Sequence, residues 1–229
     1  MDIEALVFDF DGVILETEEP DFLAWRQIWA DFGQELRLEE WAACIGTAQG
    51  PDTFHPFEEL VARTGLDLDQ AELRARKNDM ARRHLDAAEL VEGIVEWVEE
   101  ARRLGLGLAI ASSSPRHWIE NHLVRLGLEQ WWPVIACYDD CGVTKPDPAS
   151  YLLACRRLGV DPKRAMAVED SRMGLLAAKA AGLTCVAVPT AMTAHLDFSE
   201  ADLVVPSLSA LTLSDAIARL ASASREGSV

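Results

Sequence analysis

The sequence predicts an α/β protein: a doubly wound parallel sheet with a Rossmann-like core, interrupted after its first strand by an inserted α-helical cap domain. Three observations predict it. Six short β-rich apolar runs occupy residues 3–8, 106–111, 134–137, 165–168, 185–188 and 203–205. Amphipathic helical patterns over 93–104, 115–126, 148–158 and 171–181 alternate with the later runs, and such alternation builds a parallel sheet through right-handed crossovers. Between the first and second runs, residues 16–90 read almost wholly helical, too long for a crossover and too patterned for a loop. The expected division is a core of residues 1–15 and 92–229 with a helical cap of residues 16–91.

The first run ends in Asp9-Phe10-Asp11-Gly12, which sets two carboxylates two residues apart at the end of a buried strand. Such a pair repels itself and is costly to desolvate unless a cation or a shared proton neutralises it. Hard oxygen ligands suit Mg2+, which keeps several waters and shares its shell with a phosphate. Standing alone, the tetrapeptide is equally an ordinary Asp-Gly turn.

In the helical interval Phe22, Trp25, Trp29 and Phe32 recur at three- and four-residue spacing, as a buried helix face requires. Further helices are expected near 38–44, 57–64 and 69–88. The two chain crossings, near 14–17 and 90–93, lie close enough to make a hinge.

The second run ends in Ser112-Ser113-Ser114-Pro115, where proline suits the first helical position and Ser114 the cap. A helix start with free amides and hydroxyls favours a phosphate oxygen. After the third run, Gly142-Val143-Thr144-Lys145-Pro146-Asp147-Pro148 holds Lys145 on a loop stiffened by two prolines, and Asp147-Pro148 opens the next helix. The fourth run ends in Glu169-Asp170-Ser171. Each feature has a plain structural reading, but all four fall at carboxyl ends of strands, which line one crevice in an open parallel sheet. Carboxylates from the first and fourth strands can hold a metal, while serine and lysine from the second and third hold the phosphate that bridges to it.

Composition narrows the ligand. Twenty-one basic against thirty-eight acidic residues give a formal charge of −17, which argues against nucleic acid and anionic membranes but leaves room for a small anionic substrate. No apolar stretch reaches the roughly 20 residues of a membrane span. The start, Met1-Asp2-Ile3-Glu4, lacks the character of a secretory signal, so a cytoplasmic location is expected, as a monomer or small homo-oligomer. Cys44, Cys137, Cys141, Cys155 and Cys185 are scattered and odd in number, which fits reduced core thiols. His55, His84, His117, His122 and His195 show no metal-ligand spacing, and Trp131-Trp132 reads as packing.

Together these motifs resemble the haloacid dehalogenase superfamily, in its phosphatase and β-phosphoglucomutase-like branch with a helical cap after the first strand. Asp9-Phe10-Asp11-Gly12-Val13 resembles its first motif, Ser112 its second, Lys145 its third and Glu169-Asp170 its fourth. The resemblance implies that Asp9 attacks phosphorus to form an aspartyl-phosphate, while Asp11 protonates the leaving oxygen and later deprotonates water. It implies that Asp9, the Asp11 main-chain carbonyl and Asp170 hold Mg2+, with Glu169 nearby or supporting. Ser112, Ser113 and Lys145 are then the phosphate-binding residues. Halide-removing members lack a second carboxylate at the position of Asp11, so a dehalogenase is not expected.

Residues 17–25 and Lys77-Asn78-Asp79 are similar to the sugar-phosphate mutase cap, yet Asp21 stands where those mutases place a histidine and Gln49 where they carry an arginine. Without that arginine to grip a second phosphate, transfer to water is favoured. The expected function is a phosphatase acting on a small phosphorylated metabolite, sugar phosphates among the candidates. Thr17, Thr47, Gln49, His55 and Lys77 are the candidate cap contacts. The alternatives are a sugar-phosphate mutase and a non-catalytic phosphate-binding regulator; loss of Asp9 or Asp11 would suggest the latter, and neither is lost.

Overall fold

The structure, a computed structural model, describes residues 2–42, 54–86 and 88–226. The chain forms two compact units, Met1–Ile14 with Leu90–Val229, and Leu15–Glu89. Strand β1 (Ala5–Phe8) leads into four helices of the second unit: α1 (Glu18–Asp31), α2 (Leu38–Ala42), α3 (Pro56–Thr64) and α4 (Gln70–Asp86). The first unit then continues with α5 (Ile94–Arg103), β2 (Gly107–Ala111), α6 (Arg116–Leu126), β3 (Val134–Ala136), α7 (Tyr138–Cys141) and α8 (Ala149–Leu158). It closes with β4 (Ala165–Glu169), α9 (Arg172–Ala181), β5 (Thr184–Ala187), β6 (Leu203–Val204) and α10 (Leu213–Glu226).

The strands form one parallel sheet in the order β3-β2-β1-β4-β5-β6. Both faces of its centre are covered, which is why β1 and β4 read as continuous apolar runs without alternation. Beneath one face, Ala109, Ala111, Ala136, Ala154, Ala167 and Ala178 are fully buried; such small side chains bring helix backbones close to the sheet. In the same core as β1, Phe8 meets Trp132 edge-on at 6.1 Å, so Trp132 packs as expected, while Trp131 lies under the Arg102 guanidinium at 5.1 Å.

Chain order reverses at β1, whose neighbours are β2 and β4. In a sheet of this order the crevice beyond the strand ends opens at that switch point. Asp9 directly follows β1 and Glu169 ends β4, and the ladder between them continues through the Asp9 N–H to the Val168 carbonyl at 2.9 Å.

In the helical unit α1 lies against α4. Phe22, Trp25, Ile28 and Trp29 are buried as the three- and four-residue spacing requires; Phe32 falls just beyond the last turn as its C-cap. Trp29 donates its Nε1–H to the Pro56 carbonyl at 3.1 Å, and Arg63 stacks over its ring at 4.8 Å. Among the described residues no helix is long and apolar enough to cross a membrane.

Candidate active site

A buried lysine stands at the centre of the crevice. Lys145 Nζ lies 2.7 Å from Asp9 Oδ1 and 2.6 Å from Glu169 Oε1, and 5.1 Å from the centre of the Tyr151 ring. Its loop is held from several sides. The Lys145 N–H donates to Ser113 Oγ at 3.0 Å, so Ser113 anchors the lysine loop through its acceptor lone pair. Upstream, Asp140 accepts from Arg157 Nη2 at 2.8 Å, Arg116 Nη2 at 2.7 Å and the Cys137 N–H at 3.0 Å. Arg157 first, helped by the Cys137 N–H and by Arg116, holds the Asp140 carboxyl well below the usual carboxylate range.

Glu169 is wholly buried, and its oxygens are divided among three donors. Oε1 accepts from Lys145 and from the Tyr151 hydroxyl at 2.5 Å; Oε2 accepts from Ser171 Oγ at 3.2 Å. Burial and the neighbouring Glu169 charge push the Tyr151 phenol well above its ordinary value, which keeps its proton available for that bond. Ser171 also caps α9 by accepting the Gly174 N–H at 3.0 Å. A Cβ on Gly174 would stand 1.9 Å from Glu169 Oε2. Gly174→Ala is therefore expected to destabilise the fold by about 1–3 kcal/mol through overpacking, read as a lower urea midpoint. An unchanged midpoint would mean that the Glu169 carboxylate is not held against α9.

Asp9 is 7% exposed. Its Oδ1 accepts the Phe10 N–H and Lys145 Nζ, each at 2.7 Å, while Oδ2 has no protein donor among the described residues. Burial pushes the Asp9 carboxyl up to about 8 against the opposing pull of Lys145, with the Glu169 and Asp11 charges adding to the rise. For Lys145 burial acts downward, and the Asp9 and Glu169 carboxylates more than reverse it, keeping the ammonium above the ordinary lysine value.

The donor set suits a hard divalent cation. Oxygens of Asp9, Glu169 and Asp170, all buried, lie within 4.8 Å of one another. The cluster offers only carboxylate oxygens, and oxygen-only donors are what Mg2+ takes. Gly12 admits the third carboxylate: its φ is +80°, and a Cβ there would stand 2.2 Å from Asp170 Oδ2.

Asp11 is held differently from Asp9. Its Oδ1 accepts from Trp118 Nε1 at 3.0 Å, and its Oδ2 from Ser114 Oγ at 2.6 Å and, at the long limit of 3.5 Å, from Ser112 Oγ. Ser112 Oγ also accepts the Ser114 N–H at 2.9 Å. The expectation that Ser114 caps α6 is corrected here: Pro115 occupies the N-cap, and the Ser114 hydroxyl goes to the carboxylate that the β1–β2 pairing brings beside it.

The structure thus brings Asp9, Asp11, Ser112, Ser113, Lys145, Glu169 and Asp170 to one end of the sheet. Thr17 and Lys77 belong to the helical unit, where Thr17 is buried at the N-cap of α1 and Lys77 Nζ is paired with Asp21 Oδ2 at 2.7 Å. His55 is the N-cap residue of α3. Thr47 and Gln49 lie outside the described residues. Sequence reasoning missed Trp118 and Tyr151. The available signal was their place on the helices that follow the serine and lysine motifs, since a buried indole or phenol needs a polar partner.

The family model described as haloacid dehalogenase-like hydrolase matches residues 6–188. A Bacillus subtilis (strain 168) protein, YhcW, whose name assigns it provisionally as a phosphatase, is 38% identical over 92% of this chain and 94% of its own length. The fructose-1-phosphate phosphatase YqaB of Escherichia coli (strain K12) is 30% identical over 80% of this chain and 95% of its own. Among solved structures, CbbY from Rhodobacter sphaeroides in complex with phosphate superposes with a TM-score of 0.70 at 33% identity, covering 93% of this chain and 98% of that one. A mutant of that protein has also been solved in complex with xylulose-(1,5)bisphosphate. A family match over most of the chain, relatives at this identity over nearly their whole length and a solved structure that superposes over 93% of the chain identify the protein as a hydrolase and a member of the haloacid dehalogenase-like hydrolase family.

Proposed function

We propose that the protein is a Mg2+-dependent phosphatase that hydrolyses a small phosphorylated metabolite of the sugar-phosphate class through an aspartyl-phosphate. The observation that carries the proposal is the buried Asp9–Lys145 pair at 2.7 Å with a second carboxylate, Asp11, two residues on. The phosphatase and bisphosphate complexes named for related proteins support the substrate class.

Asp9 attacks phosphorus, and the bond from phosphorus to the leaving oxygen breaks as Asp11 gives that oxygen its proton. Water then attacks the aspartyl-phosphate while Asp11 takes the proton back, and the bond to Asp9 breaks to release inorganic phosphate. Lys145 neutralises charge on the nucleophile and the phosphoryl oxygens, and Ser112 orients them; in phosphoryl transfer most of the work is positioning and charge stabilisation. Mg2+, held by Asp9, Asp170 and the Asp11 main-chain carbonyl with Glu169 in support, would supply charge neutralisation at the transferring group. Substrate choice is assigned to the helical unit, with Thr17 and Lys77 among its contacts.

The test is phosphate release from a panel of monoesters, including β-glucose 1-phosphate, with and without Mg2+. Turnover that needs the metal is expected, with inorganic phosphate as product. Formation of glucose 6-phosphate from β-glucose 1-phosphate with a bisphosphate primer, in place of phosphate release, would sink the phosphatase reading in favour of a mutase.

Metal affinity is expected to climb with pH. The Asp9 carboxyl is raised above its unfolded value of 3.8 to about 8, so the metal-free folded state keeps a proton that the unfolded chain has lost. Its folded form is increasingly penalised as pH rises from about 4 to about 8, and the cation relieves that penalty once the proton has left. Apparent Mg2+ affinity should increase up to about tenfold per unit between pH 6 and 8 and level off above, as followed by calorimetry. The gap in melting temperature between Mg2+ and EDTA should widen over the same range. A flat affinity profile would show that Asp9 is already ionised in the metal-free site.

A further inference from the structure

Asp11 sits at the end of a strand-to-turn segment, and a carboxylate there turns freely unless donors fix both oxygens. Two elements of the opposite loop and helix do so. Ser114 Oγ donates to Oδ2 at 2.6 Å, and Trp118 Nε1 donates to Oδ1 at 3.0 Å. The indole is itself fixed. Its ring meets His122 edge-on at 4.5 Å, and His122, buried on the next turn of α6, lies tilted against Phe10 at 6.2 Å. Phe10 is fully buried and adjoins Asp11 in the chain. The contacts close a circuit, Phe10 to Asp11 to Trp118 to His122 and back to Phe10, so the core that sets the strand end also aims the donor at its carboxylate. A surface carboxylate serving only as a partner for an indole N–H needs no such closure and no second hydroxyl on its other oxygen.

We propose that Trp118 is a positioning residue for Asp11: with Ser114 it fixes the orientation in which Asp11 hands its proton to the leaving oxygen. The inference rests on the general acid and base role proposed above for Asp11. Misplacing a reacting group by about 1 Å costs on the order of 100-fold, and acid catalysis itself is worth roughly 10²–10⁴-fold. That contribution depends on the leaving group. An alkoxide needs the proton as the phosphorus–oxygen bond breaks, whereas 4-nitrophenolate leaves without it.

The experiment compares wild type, Trp118→Phe, Ser114→Ala, Asp11→Asn and the Trp118→Phe/Asp11→Asn double variant with Mg2+. The substrates are 4-nitrophenyl phosphate and the sugar phosphate turned over fastest in the panel. Because Asp11 also serves the common hydrolysis of the aspartyl-phosphate, the readout is kcat/KM, which reports only the step that expels the leaving group. Trp118→Phe is expected to lower it on the sugar phosphate about 10- to 100-fold and on 4-nitrophenyl phosphate less than about threefold. In the Asp11→Asn background the same change should have no further effect on 4-nitrophenyl phosphate turnover. Equal losses of kcat/KM on the two esters, no loss on either, or a further loss in the double variant would overturn the inference while leaving the phosphatase reading intact. A wild-type protein that releases phosphate from neither ester overturns both. Should Trp118→Phe melt well below wild type, Ser114→Ala decides: the same leaving-group selectivity supports positioning, and an equal loss or none removes it.

Discussion

Replacing Asp9 with Asn is expected to abolish phosphate release while leaving the fold at least as stable as wild type. The amide keeps the shape of the side chain and can still accept the Phe10 N–H, but it offers no oxygen able to attack phosphorus. Loss of a nucleophile costs roughly 10⁴- to 10⁶-fold in turnover. The stability expectation runs opposite to the usual rule for a broken buried ion pair. Lys145 keeps its 2.6 Å contact with Glu169, and the carboxyl removed is one that burial already disfavours as an anion. In EDTA at pH 8 the variant should therefore melt at or above the wild-type temperature. Residual phosphate release within tenfold of wild type would remove Asp9 as the nucleophile, and a large drop in melting temperature would mean that its charge is structurally required.

Lys145→Ala is expected to damage both activity and stability. Its ammonium bonds to Asp9 and Glu169, and its loss leaves Glu169, fully buried, with the Tyr151 and Ser171 hydroxyls as its side-chain donors among the described residues. Breaking a buried pair by removing one partner costs about 3–5 kcal/mol, because the remaining charge has no compensation. At pH 6 Asp9 keeps its proton with or without the lysine, whereas by pH 8 wild-type Asp9 begins to ionise against Lys145 and the variant cannot. The penalty relative to wild type should therefore be smaller at pH 6 than at pH 8. Urea denaturation in EDTA at the two pH values measures this, and added Mg2+ should recover part of the loss. Turnover should fall by roughly 10²–10³-fold as charge stabilisation of the phosphoryl group is lost. An unchanged urea midpoint at pH 8 would show that the carboxylates are neutralised by something other than this lysine.

The sequence by itself determined the succession of elements and the positions of the chemistry. Continuous apolar runs mark strands covered on both faces, 3.6-residue periodicity marks the helices packed on them, and both signals are local. So is the placing of Asp9, Asp11, Ser112, Glu169 and Asp170 at strand ends, because each ends or closely follows its run, and of Lys145 on the loop that follows the short α7 after β3. What tertiary structure decided was who meets whom. The order β3-β2-β1-β4-β5-β6 seats β4 beside β1, and that pairing lets one ammonium bridge carboxylates far apart in the chain. Ser114 illustrates the limit of local reading: its neighbours make it a helix cap, yet Asp11, brought alongside by β1–β2 pairing, takes its hydroxyl, and Pro115 takes the cap. Tyr151 and Trp118 were illegible for the same reason, since an aromatic at a helical position serves a core equally well whether or not its polar tip finds a carboxylate. Hydrogen bonds form by distance in space, and the strand order that sets those distances is a property of the packed sheet rather than of any stretch of chain.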